Sequence, residues 1–289
     1  MQKYVAFLKV IEMGSFTKAA ELLGYTQPAL SQMIAALEKE LSVKLLYRSR
    51  YGIQLTPEGE RLFPSIQNSV LQYSSMRRLA DEIKGIETGV IRIGTVSSVS
   101  CHWLPGIIKQ FWAEHPNVQL VLHQGDYSSI CEWVRTGAIY FGFANPKAVK
   151  GLETHIIKSG EFLAVFPVGH PLAEKETVSL QDLADEPYLL LEEGAYSEPL
   201  DAFQTAGIKP NIRLTIHDDY SIMSMIEQGL GYSILAELVL HRTDYHIVAR
   251  SVVPPIIRTL ALVMKDKNSL PIASKTFIAY LQRNVDDLP

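Results

Sequence analysis

The sequence predicts an α+β multi-domain chain made of a winged helix-turn-helix, a long linker helix and an α/β region. Two short helical patterns joined by a glycine turn predict the first part, and one apolar stripe at helical spacing predicts the second. Strand and helix patterns that alternate from Val90 onward predict the third. At 289 residues and 47% hydrophobic residues, the chain is long enough for two or three folded units.

The first two helices are short. Apolar residues at helical spacing predict a helix over residues 3–13, which Gly14 ends. Ser15 is a favourable N-cap for a second helix, which runs to Leu23 and contains small residues that let another helix approach closely.

The third helix has a polar first turn. Thr26 is a good N-cap, Pro28 lies in the first turn where its missing N–H is harmless, and an apolar stripe extends to Leu41. Two helices joined by a tight turn, the second with a polar start, are typical of a helix-turn-helix. The polar residues that lie off the stripe and face outward are Gln27, Ser31 and Gln32.

A basic hairpin follows the third helix. Apolar segments at 45–47 and 52–55 flank Arg48 and Arg50, which predicts a two-stranded wing with a charged tip. Residues 1–60 contain seven basic and six acidic side chains, so the domain is close to neutral. A surface that faces nucleic acid therefore depends on a local cluster, and Lys44, Arg48 and Arg50 form one.

The linker helix is predicted to begin at Pro57 and to end near Lys84. A solitary exposed helix with an apolar stripe needs a partner, and a second copy of itself is the simplest. Pro64 lies beyond the first turn, so we expect it to kink the helix or delay its start.

The α/β region alternates strands and helices, which predicts parallel sheets. The predicted strands are Val90–Gly94, Val118–His123, Tyr140–Ala144, Phe162–Phe166, Tyr188–Leu191, Ile212–Ile216, Gly231–Leu235 and Thr259–Met264. The predicted helices are Leu104–Glu114, Ile130–Arg135, Leu200–Thr205, Ile222–Gln228 and Ile272–Leu281.

Several classes of protein are disfavoured by the sequence. The N-terminus is not a signal peptide and no apolar run is long enough to span a bilayer, which predicts a cytoplasmic protein without a membrane partner. Two cysteines suit a reducing compartment. The eight histidines have no zinc-ligand spacing, and there is no phosphate-binding loop or nucleophile elbow. We therefore expect no metal, no cofactor and no catalytic residue.

Five motifs in the first sixty residues have a specific, matched spacing. They are Gly14-Ser15-Phe16-Thr17-x-Ala19-Ala20-x3-Leu23, Thr26-Gln27-Pro28-Ala29-Leu30-Ser31, Leu37-Glu38-x2-Leu41, Leu45-x2-Arg48 and Leu55-Thr56-Pro57-x-Gly59. Further matches follow at Pro116-x-Val118, Val165-x-Pro167-x2-His170-Pro171-Leu172 and Gly229-x-Gly231-Tyr232-x-Ile234. Over essentially its full length the chain resembles the LysR family of transcriptional regulators.

The resemblance implies an organisation and a function. The winged helix-turn-helix would occupy residues 1–58, the dimerising linker helix 59–88 and an effector-binding domain 89–289. That domain would have two α/β lobes resembling periplasmic solute-binding proteins, lobe I from 89–161 and 265–289 and lobe II from 162–264. Its small-molecule effector would lie in the cleft between the lobes. The implied partners are double-stranded promoter DNA and a second copy in a homodimer or homotetramer, with RNA polymerase as a further candidate.

The resemblance places the start of the third helix in the major groove. Glutamine pairs well with adenine, serine bonds either member of a base pair, and proline can contact a thymine methyl. The basic residues would contact phosphates or the minor groove from the wing and the second helix. The alternative is that these residues are helix caps and solvated surface charges. The DNA-binding candidates are Lys18, Thr26, Gln27, Pro28, Ser31, Gln32, Arg48 and Arg50.

The effector-binding candidates lie in turns that follow strands, where parallel α/β lobes bind ligands. The hydroxyl-rich turn after Val90–Gly94 is the first choice, because the family uses it for effector contacts. Serines and helix termini favour a small carboxylate or another anion, whereas the aromatic residues would suit a ring. The alternative is that these residues are N-caps and ordinary loop residues. The candidates are Ser97, Ser98, Ser100, Tyr127, Asn145, Tyr196, Tyr220 and Ser221.

Overall fold

The computed structural model describes residues 1–49, 52–83 and 89–289, with the backbone alone for 48, 49, 52, 75 and 77–83. Two compact units comprise Met1–Gly85 and Ile86–Pro289. No helix in the described ranges is both long enough and apolar enough to cross a membrane.

The first unit follows the order that the sequence predicts. Ser15 accepts a hydrogen bond from the Lys18 N–H, and Thr26 accepts one from the Ala29 N–H, so both predicted N-caps are formed. Gly14 adopts a left-handed conformation and ends the first helix. The elements are α1 (Gln2–Met13), α2 (Phe16–Leu23), α3 (Gln27–Leu41), β1 (Leu46–Ser49), β2 (Gly52–Leu55) and α4 (Pro57–Ile83).

Helix α4 begins at the predicted residue in spite of Pro64. It begins at Pro57 and continues through Pro64, so the expectation of a delayed start is wrong. Pro64 removes one helical hydrogen bond, but the residues around it are anchored to α1. The ring of Phe63 lies 6.2 Å from that of Phe7, and Ile66 is buried in the same core. These contacts hold α4 against the first unit on both sides of Pro64.

The second unit contains the α/β elements. Its strands are β3 (Val90–Thr95), β4 (Gln119–Gln124), β5 (Phe141–Ala144), β6 (Glu153–Pro167), β7 (Thr177–Ser179), β8 (Tyr188–Leu191), β9 (Ile212–Ile216), β10 (Ser233–Ala236) and β11 (Ile247–Met264). Its helices are α5 (Ser97–His102), α6 (Leu104–Glu114), α7 (Tyr127–Thr136), α8 (Leu180–Leu183), α9 (Glu198–Thr205), α10 (Asp219–Glu227), α11 (Glu237–Leu240) and α12 (Ile272–Arg283).

The sheets are mixed rather than wholly parallel. Strand order in the larger sheet is β10-β6-β11-β5-β3-β4, with β7 beside β11, and β8 pairs with β9 in a second sheet. The pairs β3–β4, β3–β5 and β8–β9 are parallel as predicted. Strands β6 and β11 are much longer than their apolar segments predicted and pair antiparallel, with a register break between Ser251 and Ile256.

Two hydrophobic cores divide the second unit into lobes. The first lobe packs around residues drawn from 91–144 and 260–288, and the second lobe around residues drawn from 162–256. Residues 260–264 were expected in lobe II but pack in the first core, so the chain returns between Ile256 and Leu260. Because β6 and β11 run through both lobes, the paired strands form the connection between them.

Candidate functional site

The first turn of α3 presents polar side chains to solvent. Thr26, Gln27, Pro28 and Gln32 are exposed and Ser31 is half-buried. On the opposite face Leu30, Ile34 and Leu37 are fully buried and fix the helix against α1 and α2. The amphipathic pattern therefore places the predicted base-reading residues together on one exposed surface.

The β1–β2 hairpin is anchored to α3 by a buried carboxylate. Oε1 of Glu38 accepts hydrogen bonds from the backbone N–H groups of Leu45 at 2.9 Å and Leu46 at 3.3 Å. Its Oε2 accepts from Lys44 Nζ at 2.9 Å. Burial raises the pKa of Glu38, but these three donors outweigh burial and hold the pKa below its usual value. The predicted wing is thus fixed relative to α3.

The basic candidates are less completely described. Lys18 is exposed on α2. Arg48 lies on β1 opposite Ile53, and its side chain lies outside the described part of the chain. The prediction for Arg50 falls on a residue outside the described ranges.

A buried arginine occupies the connection between the two lobes of the second unit. Arg258 lies on β11 between the two cores and is 5% exposed. Its Nε donates to the Tyr127 hydroxyl at 2.8 Å, Nη1 to Ser98 Oγ at 2.9 Å and Nη2 to Glu193 Oε1 at 3.3 Å. Buried charge is tolerated only when it is paired and hydrogen-bonded, and Arg258 meets both conditions.

Carboxylates of the second lobe bond to polar groups of the first. Oε1 of Glu198 accepts from Asn145 Nδ2 at 2.7 Å and from the Tyr127 hydroxyl at 3.3 Å. The Ser97 hydroxyl donates to Oδ2 of Asp219. Oε2 of Glu198 is buried and has no hydrogen-bond partner among the described residues. We call the set Arg258, Glu193, Glu198, Asp219, Ser97, Ser98, Tyr127 and Asn145 the inter-lobe network.

Burial perturbs the acids and bases of the inter-lobe network. Burial raises the pKa of Glu193 to about 8, because it outweighs the positive charge of Arg258, which lowers that pKa. Repulsion from neighbouring carboxylates raises it further. Burial also raises the pKa of Asp219 to about 6 and that of Tyr127 above its usual value. Burial lowers the pKa of Arg258, but Tyr127 and Glu193 outweigh it and raise that pKa overall. Such perturbed groups cluster at functional sites.

A cavity of about 410 Å³ opens onto the inter-lobe network. This volume is sufficient for a small ligand. A second cavity of about 310 Å³ also touches Arg258 and is lined by the C-terminal Pro289. The residues that line the larger cavity are Val96, Ser97, Gln124, Gly125, Asp126, Leu191, Glu192, Glu193, His217, Asp218, Asp219 and Arg258.

The structure brings together half of the predicted effector residues. Ser97, Ser98, Tyr127 and Asn145 belong to the inter-lobe network, where Tyr127 is fully buried. The other four bond elsewhere. Ser100 donates to the Ser97 carbonyl, the Tyr196 hydroxyl to Asp201, the Tyr220 hydroxyl to Cys101 Sγ and the Ser221 N–H to Asp218.

No sequence pattern marked the charged members of the inter-lobe network. Arg258 lies in the apolar segment 256–262, and its position there is the one signal that could have marked it, because an arginine that is buried needs a partner. Glu198 and Asp219 look like ordinary first-turn acids of α9 and α10. Only the fold shows that they are buried beside Arg258. No group of three or more His, Cys, Asp or Glu among the described residues is placed to hold a metal ion.

Two family models match the chain. Residues 1–60 match the bacterial regulatory helix-turn-helix protein, lysR family, and residues 84–286 match the LysR substrate binding domain. The uncharacterized HTH-type transcriptional regulator YvbU of Bacillus subtilis (strain 168) is 34% identical over 275 residues, covering 94% of each chain. AlsR of the same organism, an HTH-type transcriptional regulator, is 30% identical over 230 residues, covering 78% of this chain and 76% of AlsR.

Solved structures share the fold. CbnR, a LysR family transcriptional regulator, superposes with a TM-score of 0.74 at 20% identity, covering 98% of each chain. Full-length CbnR complexed with its target DNA gives a TM-score of 0.73 at 21% identity and the same coverage. These relatives and neighbours are regulators rather than enzymes. The chain belongs to the LysR family and is a DNA-binding transcriptional regulator with a C-terminal substrate-binding domain.

Proposed function

We propose that this regulator reads promoter DNA with the first turn of α3 and responds to a small molecule held in the larger cavity beside the inter-lobe network. The DNA-reading part of this proposal rests on the exposed polar first turn of α3, which lies opposite the buried apolar face of the same helix. Thr26, Gln27, Pro28, Ser31 and Gln32 would contact bases or position the helix. Lys18, Arg48 and Arg50 would contact phosphates.

The DNA contact is tested by fluorescence anisotropy with DNA duplexes taken from the region upstream of the gene that encodes the protein. Replacing both Gln27 and Ser31 by alanine should reduce selectivity over random duplex about tenfold or more, because one good side-chain pair to a base gives about 1–3 kcal/mol of discrimination. Gln2→Ala removes an exposed glutamine from α1 and serves as the matched control. Undiminished selectivity in the double variant would disprove base reading by α3.

The cavity supports the second half of the proposal. It lies where carboxyl ends of the parallel strands β3 and β8 lead into α5 and the turn at Glu193, a usual place for ligands in α/β lobes. A ligand there would contact Ser97 and Arg258 directly. We include Ser98, Ser100, Tyr127, Asn145, Tyr196, Tyr220 and Ser221 as residues that act through the surrounding network or turns.

Self-association is the remaining part of the proposal. The first half of α4 packs on its own unit through Ile66, but Tyr73 and Met76 further along are 36% and 58% exposed. These exposed apolar side chains support a homodimer formed through α4, or a homotetramer built from such dimers. The assembly would act on DNA in the cytoplasm. Met76→Glu should lower the mass measured by light scattering after gel filtration, whereas an unchanged mass would exclude this contact.

A further inference from the structure

The larger cavity is rich in carboxylates. Five of its lining residues are acids, and one guanidinium and one imidazole are the cationic groups among the residues that line it. Asp126 and Asp218 cap α7 and α10, and Glu193 pairs with Arg258. Asp219, which is 5% exposed, has an uncharged hydroxyl as its hydrogen-bond partner. The cavity therefore carries more buried acid than its own cations neutralise.

Several side-chain donors of the inter-lobe network already bond to acceptors of the protein. Ser97 donates to Asp219, and Asn145 donates to Glu198. Three of the N–H groups of Arg258 donate to Tyr127, Ser98 and Glu193. An incoming carboxylate would have to displace the protein's own carboxylates, and it would meet their charge at close range. This arrangement disfavours the anion that the serine-rich turn suggested.

Glu198 provides a second, independent observation. It is 4% exposed, and its Oε2 accepts no hydrogen bond from any described residue. Its Oε1 bonds to the Tyr127 hydroxyl, which in turn accepts from Arg258 at the cavity wall. A buried acceptor without a donor is costly. Glu198 does not line the larger cavity, but it is a third buried carboxyl group of the inter-lobe network, after Glu193 and Asp219, and it adds to the excess of acid around Arg258.

We propose that the effector of this regulator is a small organic cation, an amine or a guanidine, whose N–H groups bond to Asp219 and Glu193 in the larger cavity. The inference rests on the proposed function, because it names the chemical class of ligand for that same cavity. Charge-assisted hydrogen bonds to buried carboxylates would supply both affinity and discrimination against acids of the same shape.

Cation binding should release protons. The charged groups that face Glu193 are Arg258, Glu198, Asp219 and Asp126, and burial raises the pKa of Glu193 to about 8. A cation beside this carboxyl favours its ionised form, so the carboxyl loses its proton on binding. Affinity should therefore rise between pH 6 and pH 8. An anionic ligand would show the opposite dependence, since it would favour the protonated acids.

The test is isothermal titration of the full-length protein with paired probes of equal skeleton. The pairs are butylamine with butyrate, benzylamine with benzoate, and butylguanidine with hexanoate. The result expected is binding of at least one amine or guanidine, with a net proton release seen as a dependence of the heat on buffer ionisation enthalpy. The three tryptophans, all in the second unit, give an independent fluorescence signal for the same domain.

Three variants make the assignment specific. Asp219→Asn and Glu193→Gln keep side-chain shape but remove charge, and each should weaken binding of the amine about tenfold or more. Asp185→Asn removes an exposed carboxylate of the same lobe and should leave binding unchanged. Far-UV circular dichroism shows whether each variant is folded. If Asp219→Asn does not fold, Glu193→Gln alone tests the proposal.

The outcomes separate this inference from the proposed function. Carboxylates that bind while amines do not would overturn the cation and leave the cavity as an effector site. An amine that binds Asp219→Asn and Glu193→Gln as well as it binds the unaltered protein would also overturn it. Absence of binding by every amine and guanidine would also overturn the cation. Absence of binding by every probe, carboxylates included, would contradict the proposed role of the larger cavity as an effector site.

Discussion

The Glu38 carboxylate tests what holds the predicted wing against α3. Its carboxylate ties the start of the β1–β2 hairpin to α3 through the N–H groups of Leu45 and Leu46, both on buried residues. Glu38→Ala removes the acceptor of both bonds. Each buried N–H left unpaired costs about 1–3 kcal/mol, so the variant, which leaves two unpaired, should lose roughly 2–6 kcal/mol of local stability.

Glu38→Gln should be much milder, because the amide keeps one oxygen in the place of Oε1, which accepts both backbone bonds. The lost contact is then the ion pair to Lys44, whose side chain is 79% exposed, and such pairs contribute about 0–1 kcal/mol. The alanine and glutamine variants together therefore separate the backbone bonds from the charge.

Hydrogen exchange followed by mass spectrometry on peptides over residues 42–49 of the full-length protein measures the difference. Glu38→Ala should exchange these amides roughly thirtyfold faster or more. Glu21→Ala, an exposed acid of the same unit, serves as control. Because the pKa of Glu38 is lowered on folding, its contribution is present at neutral pH and lost as pH falls through that lowered value. Equal exchange in the alanine variant and the unaltered protein would refute this account of the hairpin.

Three further predictions concern packing and the inter-lobe network. Gly59→Ala should unfold the first unit at a lower temperature, because a Cβ there would lie 2.3 Å from the Leu45 carbonyl oxygen; an unchanged melting temperature would show that the hairpin moves freely. Tyr127→Phe should destabilise the second unit by about 1–3 kcal/mol in urea, since Nε of Arg258 loses its buried acceptor, and no change would mean that the two are not bonded. Folding raises the pKa of Glu193 to about 8, so the folded unit holds an extra proton and its stability should fall as pH rises from about 4.5 to 8. Glu193→Gln should flatten this dependence of stability on pH, and an unchanged dependence in the variant would assign it to another group.

The sequence was sufficient for the first three helices because their signals are local. Ser15, Thr26 and Gly14 act on the turns next to them, and the stripe through Leu30, Ile34 and Leu37 follows from helical spacing alone. These features predicted the bounds of α2 and α3 and the exposed polar turn. The same spacing could not show that Phe63 and Ile66 would anchor α4 around Pro64, because that depends on contact with α1.

The inter-lobe network was decided by tertiary structure. Ser97 and Ser98 could be singled out because they follow a strand directly, but their partners Asp219 and Arg258 are more than a hundred residues away. The long pairing of β6 with β11 carries Arg258 between the lobes, and no local pattern marks that register. The sequence alone determined which polar turns end the strands. The fold determined that carboxyl groups of one lobe accept hydrogen bonds from donors of the other. The charge balance of a buried site depends on every group that the chain brings there, and local sequence patterns do not show which groups those are.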